Sequence, residues 1–310
     1  TTVLTIAARL EENADGLKAF FSEENNPKKV RWIEDETLVD AHLDVSAYLE
    51  KEFFAPTSTV TLCSATLTTA RSFEFLRERL GIKSARVTEN IYDSPFDYKN
   101  RTLMLVPTDL PDPNEPTFIE EASKRISQAI EASKGNTFVL FTSYDMLEKC
   151  YERVAPHLPY EFMKQGDLSR QMLIEQFKEK DGCVLFGTDS FWEGVDVAGE
   201  SLRCVIIVKL PFKAPNDPLM EAYAQALTAE GKNPFFDYAV PQAVVKFKQG
   251  FGRLMRQKSD RGCVLCLDKR LVTKAYGKIF LKSLPPCQTL FLKTDKVMEA
   301  MHDFYERTGA

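Results

Sequence analysis

The stretch "TFVLFTSYDMLEKCYERVA", residues 137–155, changes its hydrophobic rhythm in the middle. Its first five residues form a near-continuous apolar run, the pattern of a parallel strand covered on both faces. From residue 145 the apolar residues recur at helical spacing. The same alternation repeats along the chain. Further runs of strand length are "TVTLC" (59–63), "TLMLV" (102–106), "CVLFG" (183–187), "CVIIV" (204–208) and "CVLCL" (263–267). Helical patterns lie at 70–80, 117–134, 168–180 and 241–256. Strand and helix in alternation predict an α/β fold with a largely parallel sheet flanked by helices. Outside this rhythm, residues 3–21 carry apolar residues at helical spacing until "SEENNPKK" breaks them, "VRWI" reads as a short strand, and "PTDLPDPNEP" (107–116) marks an ordered loop or linker.

The composition is that of a soluble globular chain: 310 residues, 44% hydrophobic and 27% charged. That length allows one large domain or two smaller ones. No apolar run approaches the roughly 18 residues a spanning helix needs. The chain opens Thr-Thr without a Met or a signal peptide, and reads as a segment of something longer. Seven scattered cysteines point to a reducing cytoplasm. Cys263 and Cys266 form a CxxC inside a strand pattern, where that spacing sends them to opposite faces, so they read as core thiols. The histidines, His42, His157 and His302, have no ligand spacing, and no metal site is expected in this chain. "EDE" at 34–36 looks like a carboxylate box but follows no long buried strand, which favours a solvated turn.

The net charge is −5, yet charge is segregated. Residues 11–52 hold twelve acids and five bases, whereas 246–274 hold nine bases and two acids. A nucleic-acid binder shows such a local basic patch, and so does an ordinary solvated face. The loops that follow the strand patterns, "SATL", "TSYDM" and "TDSFWEGVD", carry hydroxyls, carboxylates and aromatics, on the rim where ligands sit in open α/β sheets. In "QGFGRLMRQKSDRG" (249–262), projection of residues 244–256 on a helix places Gln249, Arg253 and Arg256 within about 60° of one another. Val244, Phe247, Phe251, Leu254 and Met255 fall opposite, and Gly252 lies at the edge of the polar face. Two guanidiniums one turn apart suit an anion such as phosphate, or form a solvated cationic face.

A family resemblance separates these readings. "QGFGRLMR" resembles helicase motif VI of superfamily 2, and "GTDSFWEGVDVAGESL" resembles motif V of its DinG and XPD branch. "LCSATL" resembles motif III and "VLFTSYDML" motif IV, with "YEFMKQG" between IV and V. "VKLPFKAPNDP", "NPFFDYAVPQAV" and "DRGCVLCLDKRL" resemble the linking stretches, in order. Eight segments in sequence from about residue 30 to 285 identify the chain with the carboxy-terminal part of DinG/XPD-type helicases, nearest the bacterial DinG type.

The resemblance implies a DNA helicase with two RecA-like motor lobes, ATP and Mg2+ held between them, 5′ to 3′ polarity and a role in DNA repair or replication. Arg253 and Arg256 would be the arginines that reach the γ-phosphate, with Gln249 ordering them and Gly194, Asp196 and Gly252 facing the nucleotide. Ser64, Ala65 and Thr66 would couple hydrolysis to movement. Thr142, Ser143, Tyr144, Gln165 and Thr188 would meet the DNA backbone, and Phe191 and Trp192 would stack on bases, with a core role as the plainer alternative for Trp192. Implied partners are single-stranded or forked DNA and the first lobe of the same protein, with no membrane, in a bacterial cytoplasm at the nucleoid. The chain departs from the family in having no GxxxxGK[ST] loop and no Walker B acid pair. Residues 1–95 are therefore expected to be the end of the first lobe or its insert, and 96–310 the second lobe, inactive on its own. The resemblance allows an iron–sulfur cluster in a longer parent protein, outside this segment. A non-catalytic nucleic-acid or protein-binding module that kept the motor fold is the alternative. A nuclease would need clustered acids that this segment lacks.

Overall fold

A computed structural model describes residues 2–22, 29–83, 87–193, 201–214 and 216–307. The chain divides into two compact units. The larger comprises Cys63–Phe75, Arg86–Phe212 and Tyr238–Ala310, the smaller Thr1–Leu62, Leu76–Ala85 and Lys213–Asp237.

The larger unit is built on a seven-stranded, wholly parallel sheet: β3 (Thr102–Pro107), β4 (Thr137–Leu140), β5 (Glu161–Lys164), β6 (Cys183–Gly187), β7 (Cys204–Ile207), β8 (Gly262–Cys266) and β9 (Gln288–Leu292). The spatial order is β5-β6-β4-β7-β8-β3-β9. Because every inner strand is covered on both faces, its residues serve two cores in turn. Met104 and Val106 of β3 enter one core, which also receives Phe247 and Phe251 from the helix Val240–Phe251, Phe280 and Phe177. Leu103 and Leu105 enter the other, under the helices Phe118–Ala132, Tyr144–Val154 and Thr294–Glu306. Cys263 and Cys266 lie on opposite faces, both fully buried.

The smaller unit holds the antiparallel hairpin of β1 (Lys29–Glu34) and β2 (Thr37–His42), with Asp35 at φ 51° in its turn. The "EDE" stretch is thus the exposed tip of a hairpin. Tyr223 is buried in this unit, with its hydroxyl on the Leu43 carbonyl and the Arg79 guanidinium over its ring. The helix Thr2–Phe20 forms at the expected place, but none of residues 4–19 is buried, and Leu4, Ile6, Leu10 and Leu17 face solvent.

Two expectations are corrected. "TVTLC" forms no strand: residues 59–63 have no regular structure, are largely exposed and have no sheet neighbour among the described residues. An apolar run becomes a strand only where another strand can satisfy its backbone groups, and here none does. The helix expected over 241–256 stops at Phe251, with Gly252 as its last cap. Leu254 and Met255 keep apolar periodicity because they pack into the core from a turn beyond the helix.

Candidate functional site

The carboxyl ends of parallel strands share one edge, so the loops after β4, β5 and β6 meet there. After β4 the chain passes Phe141 and Thr142 and enters the helix Tyr144–Val154, whose N-cap is Ser143: its hydroxyl accepts from the Met146 amide at 3.3 Å. Tyr144 stands 54% exposed at the first turn. After β5, the Gln165 amide donates to the Phe186 carbonyl at 2.9 Å, extending the ladder by one residue. The Gln165 side chain then spans all three loops. Its Oε1 accepts from the Thr188 amide at 2.7 Å and from the Thr188 hydroxyl at 2.9 Å, and its Nε2 donates to the Tyr144 hydroxyl. Tyr144, Gln165 and Thr188 are thereby one hydrogen-bonded chain on the edge, with Thr142 and Ser143 beside it.

Phe191 and Trp192 lie in the core instead of on that surface. Both are fully buried, in the short helix Asp189–Trp192. Phe191 packs edge-on to Phe138 and sits so near Gly187 that a Cβ there would meet it at 2.6 Å. The Trp192 indole donates to the Phe141 carbonyl at 2.8 Å. The expectation that these rings stack on bases is corrected: neither offers a face to solvent, and their hydrophobic area is better satisfied under the loop they anchor. Arg170, which the sequence reading passed over, holds the outside of this loop through the carbonyls of Ser190 (3.0 Å) and Glu193 (2.6 Å). Gly194 and Asp196 lie outside the described residues.

The glycines of "QGFGRLMR" have separate reasons. A Cβ on Gly250 would meet the Trp192 ring at 2.8 Å and Leu140 Cδ1 at 3.0 Å, so the indole rests on bare helix backbone. Lys246, one turn earlier, pairs with Asp189 at 2.5 Å. This helix is therefore fastened to the loop after β6. Gly252 ends it, and Arg253 and Arg256 follow in the turns that lead to β8. They do not form the helical stripe that projection gave. Arg253 is only 7% exposed, and its Nε donates to the Gln249 carbonyl at 3.2 Å. Gln249 Oε1 is buried with no hydrogen-bond partner among the described residues. Asp260, unnoticed in the sequence, accepts from the amides of Arg256 (2.6 Å) and Gln257 (2.8 Å) and fixes the turn. The signal was an aspartate three and four residues after the amides it caps.

Ser64, Ala65 and Thr66 lie in an exposed turn where the Ser64 hydroxyl accepts from the Thr66 amide at 3.2 Å. The stretch is tied to the larger unit just beyond: Lys248 donates to the Thr68 carbonyl at 2.8 Å, and the Ala70 amide donates to Ser283 Oγ at 2.6 Å. Burial holds the Lys248 ammonium below its ordinary pKa. After β7 and β8, the fully buried Asp268 accepts from the Leu210 amide at 2.9 Å and grips Arg270 in a forked pair, its Oδ2 2.6 Å from Nη2. Among the described residues no helix is long and apolar enough to cross a membrane.

Residues 126–287 match the family described as the helicase C-terminal domain. The chain is 44% identical over 222 residues to "ATP-dependent DNA helicase YoaA" of Haemophilus influenzae, covering 72% of this chain and 34% of that protein. It is 36% identical over 266 residues to "3'-5' exonuclease DinG" of Bacillus subtilis, covering 83% and 28%. It is 34% identical over 273 residues to "ATP-dependent DNA helicase DinG" of Photobacterium profundum, covering 83% and 39%. It thus spans about a third of the length of these relatives. A solved XPD helicase superposes with a TM-score of 0.62 at 20% identity, over 85% of this chain and 48% of that one, which shows a shared RecA-like helicase-lobe fold.

Proposed function

Because the chain belongs to the helicase C-terminal domain family and matches the carboxy-terminal part of DinG-type helicases, we propose that it is the second motor lobe of an ATP-dependent DNA helicase. In this reading residues 96–310 form the lobe, and residues 1–95 bring the end of the first lobe or its insert. The lack of a sheet neighbour for residues 59–63 supports that division: a run with strand composition is left for strands the lobe does not contain. The parent enzyme would move 5′ to 3′ on single-stranded or forked DNA, in repair or replication, in a bacterial cytoplasm.

The observation that carries the reading is the turn after Phe251. There the Gln249 carbonyl holds the Arg253 guanidinium and the Asp260 carboxylate holds the backbone of Arg256, so one guanidinium and the turn that carries the other are set before any ligand arrives. Pre-set cations of this kind stabilise charge that spreads over a phosphoryl group in its transition state without reorganising when it forms. ATP with Mg2+ supplies the phosphoryl group and part of its charge neutralisation, bound jointly with the first lobe. Gln249, whose Oε1 lacks a partner among the described residues, orients the arginines or the nucleotide. Gly252 faces the nucleotide as well, and the family resemblance gives Gly194 and Asp196, outside the described residues, a part in binding it. On the opposite edge, Thr142, Ser143, Tyr144, Gln165 and Thr188 offer hydroxyls and an amide to DNA phosphates, contacts that position without reading sequence. Ser64, Ala65 and Thr66 couple the two.

The test is Arg256→Ala in the longer parent protein. DNA-stimulated ATP turnover falls by about three orders of magnitude, while circular dichroism stays unchanged; unaltered turnover would sink the assignment. The chain alone should bind single-stranded DNA in a salt-sensitive way and hydrolyse no ATP.

A further inference from the structure

Three arginines gather at the edge where strands begin, opposite the Tyr144–Gln165–Thr188 edge. Arg203, Arg261 and Arg101 each immediately precede a strand: β7, β8 and β3, which are consecutive in the sheet. Register brings them together, since Cys204 pairs with Cys263 and Thr102 with Gly262. The end of the helix Thr294–Glu306 backs two of them with rings: the Arg203 guanidinium lies 4.8 Å from the Tyr305 centroid, and that of Arg261 lies 4.4 Å from the Phe304 centroid. Arg101 Nη1 donates to the Ser259 carbonyl at 3.0 Å.

Among the described residues none of the three has a carboxylate within ion-pair distance. Asp97, on the turn before Arg101, accepts from the Asn100 side chain at 2.8 Å and feels the Arg101 charge without an ion pair, and three other nearby acids are engaged elsewhere. Asp260 caps the turn at Arg256, Asp303 pairs with Arg307 at 3.6 Å, and Asp181 accepts from Asn136 at 3.0 Å. Among the described residues Arg203 Nη2 and Arg261 Nε are buried without a hydrogen-bond partner. Burial lowers the pKa of Arg261, and the nearby charge of Arg101 lowers it further. Like charges held together, partly desolvated and with no carboxylate in direct ion-pair contact, are a standing cost unless an anion relieves it. Guanidiniums backed by aromatic rings are also held flat, with the planar fork that grips a phosphate through two parallel hydrogen bonds.

We propose that Arg101, Arg203 and Arg261 form a phosphate-binding site on the strand-start edge of the sheet. Its ligand carries a phosphate group, as a nucleic-acid backbone diester or as free phosphate.

Thermal melts of this chain in potassium phosphate and in potassium chloride at matched ionic strength test the site. Phosphate should raise Tm by about 2–4 °C at saturating concentration. The double variant Arg101→Ala, Arg261→Gln should lose that rise and melt in chloride no lower than the parent chain, because it removes repulsion. Arg261→Lys keeps the charge without the fork and should retain only part of the rise, which serves as the readout if the double variant folds poorly. An equal phosphate shift in parent chain and variants overturns the site. Titration with a labelled single-stranded oligonucleotide distinguishes the sources. If the phosphate is a backbone diester, the double variant binds less tightly, with a salt slope shallower by about 0.7 per lost contact. If oligonucleotide affinity is unchanged while the melt shift depends on the arginines, the ligand is free phosphate. No melt shift and no change in oligonucleotide binding overturn the proposal.

Discussion

The Gln165 side-chain oxygen accepts two hydrogen bonds from Thr188, from its amide at 2.7 Å and its hydroxyl at 2.9 Å, while the amide nitrogen of the same side chain reaches the Tyr144 hydroxyl. Three loops that leave three different strands are thus joined through one side chain.

Gln165→Ala should destabilise the chain by about 1–3 kcal/mol, because the buried Thr188 amide loses its acceptor. Gln165→Glu keeps that acceptor but cannot donate to Tyr144. It should unfold near the parent midpoint in urea yet bind single-stranded DNA more weakly, as it adds a negative charge beside the proposed phosphate contacts. Urea denaturation and oligonucleotide anisotropy together check the pair. Equal DNA affinity in both variants would remove this edge from the DNA path.

Gly250 and Gly252 should part company on substitution. Alanine is favoured over glycine inside a helix by about 1 kcal/mol. At Gly250 the added methyl meets the Trp192 ring at 2.8 Å, and overpacking of this kind costs about 1–3 kcal/mol. Gly250→Ala should therefore lower the unfolding midpoint despite its better propensity. At Gly252 the methyl meets the Lys248 carbonyl at 3.2 Å and the Gln249 carbonyl at 3.6 Å, so Gly252→Ala should change stability by less than about 1 kcal/mol. The comparison needs only two denaturation curves.

The burial of Trp192 can be read by fluorescence. In Trp32→Phe the indole of Trp192 is the sole remaining tryptophan. Its emission should be blue-shifted, resistant to acrylamide, and unchanged when single-stranded DNA is added. Quenching by DNA would restore the base-stacking role that its position in the core removes.

Lys248 gives a pH signature. Its ammonium is partly buried, so the folded chain releases this proton at lower pH than the unfolded chain, whose ordinary value is 10.5. Between the lowered folded value and 10.5 the unfolded state holds more protons, so stability rises with pH from this group. The urea midpoint of the parent chain minus that of Lys248→Met should be flat near neutrality and climb toward pH 10. A difference that stays flat or falls over that range contradicts the burial of the charge.

The sequence was most legible where a residue's neighbours were all within the chain. The inner strands β4, β6, β7, β8 and β3 are apolar on both faces, and each was visible as an unbroken run. The strands β5 and β9, at the two edges of the sheet, bury only part of their residues and lacked that signal. "TVTLC" has the composition of an inner strand but no neighbour here. The stop at Gly252 was hidden because Leu254 and Met255 are as buried as helix residues would be. Aromatics in a polar loop read equally as ligand contacts or anchors, and only burial decided for Phe191 and Trp192. The bridge through Gln165 depends on loops that are distant in sequence, and no local pattern announces it.

The strand order also sets a timetable. Strands β4 to β7 find one another within a short length of chain, so that half of the sheet can assemble while synthesis continues. The strand β3 is made before any of them, yet both its neighbours come last: Leu103 pairs with Cys263 and with Gln288. Until then "TLMLV" has no partner on either side. Such a segment is an aggregation hazard on the ribosome, and a chain interrupted before residue 288 would carry it as a permanently open edge.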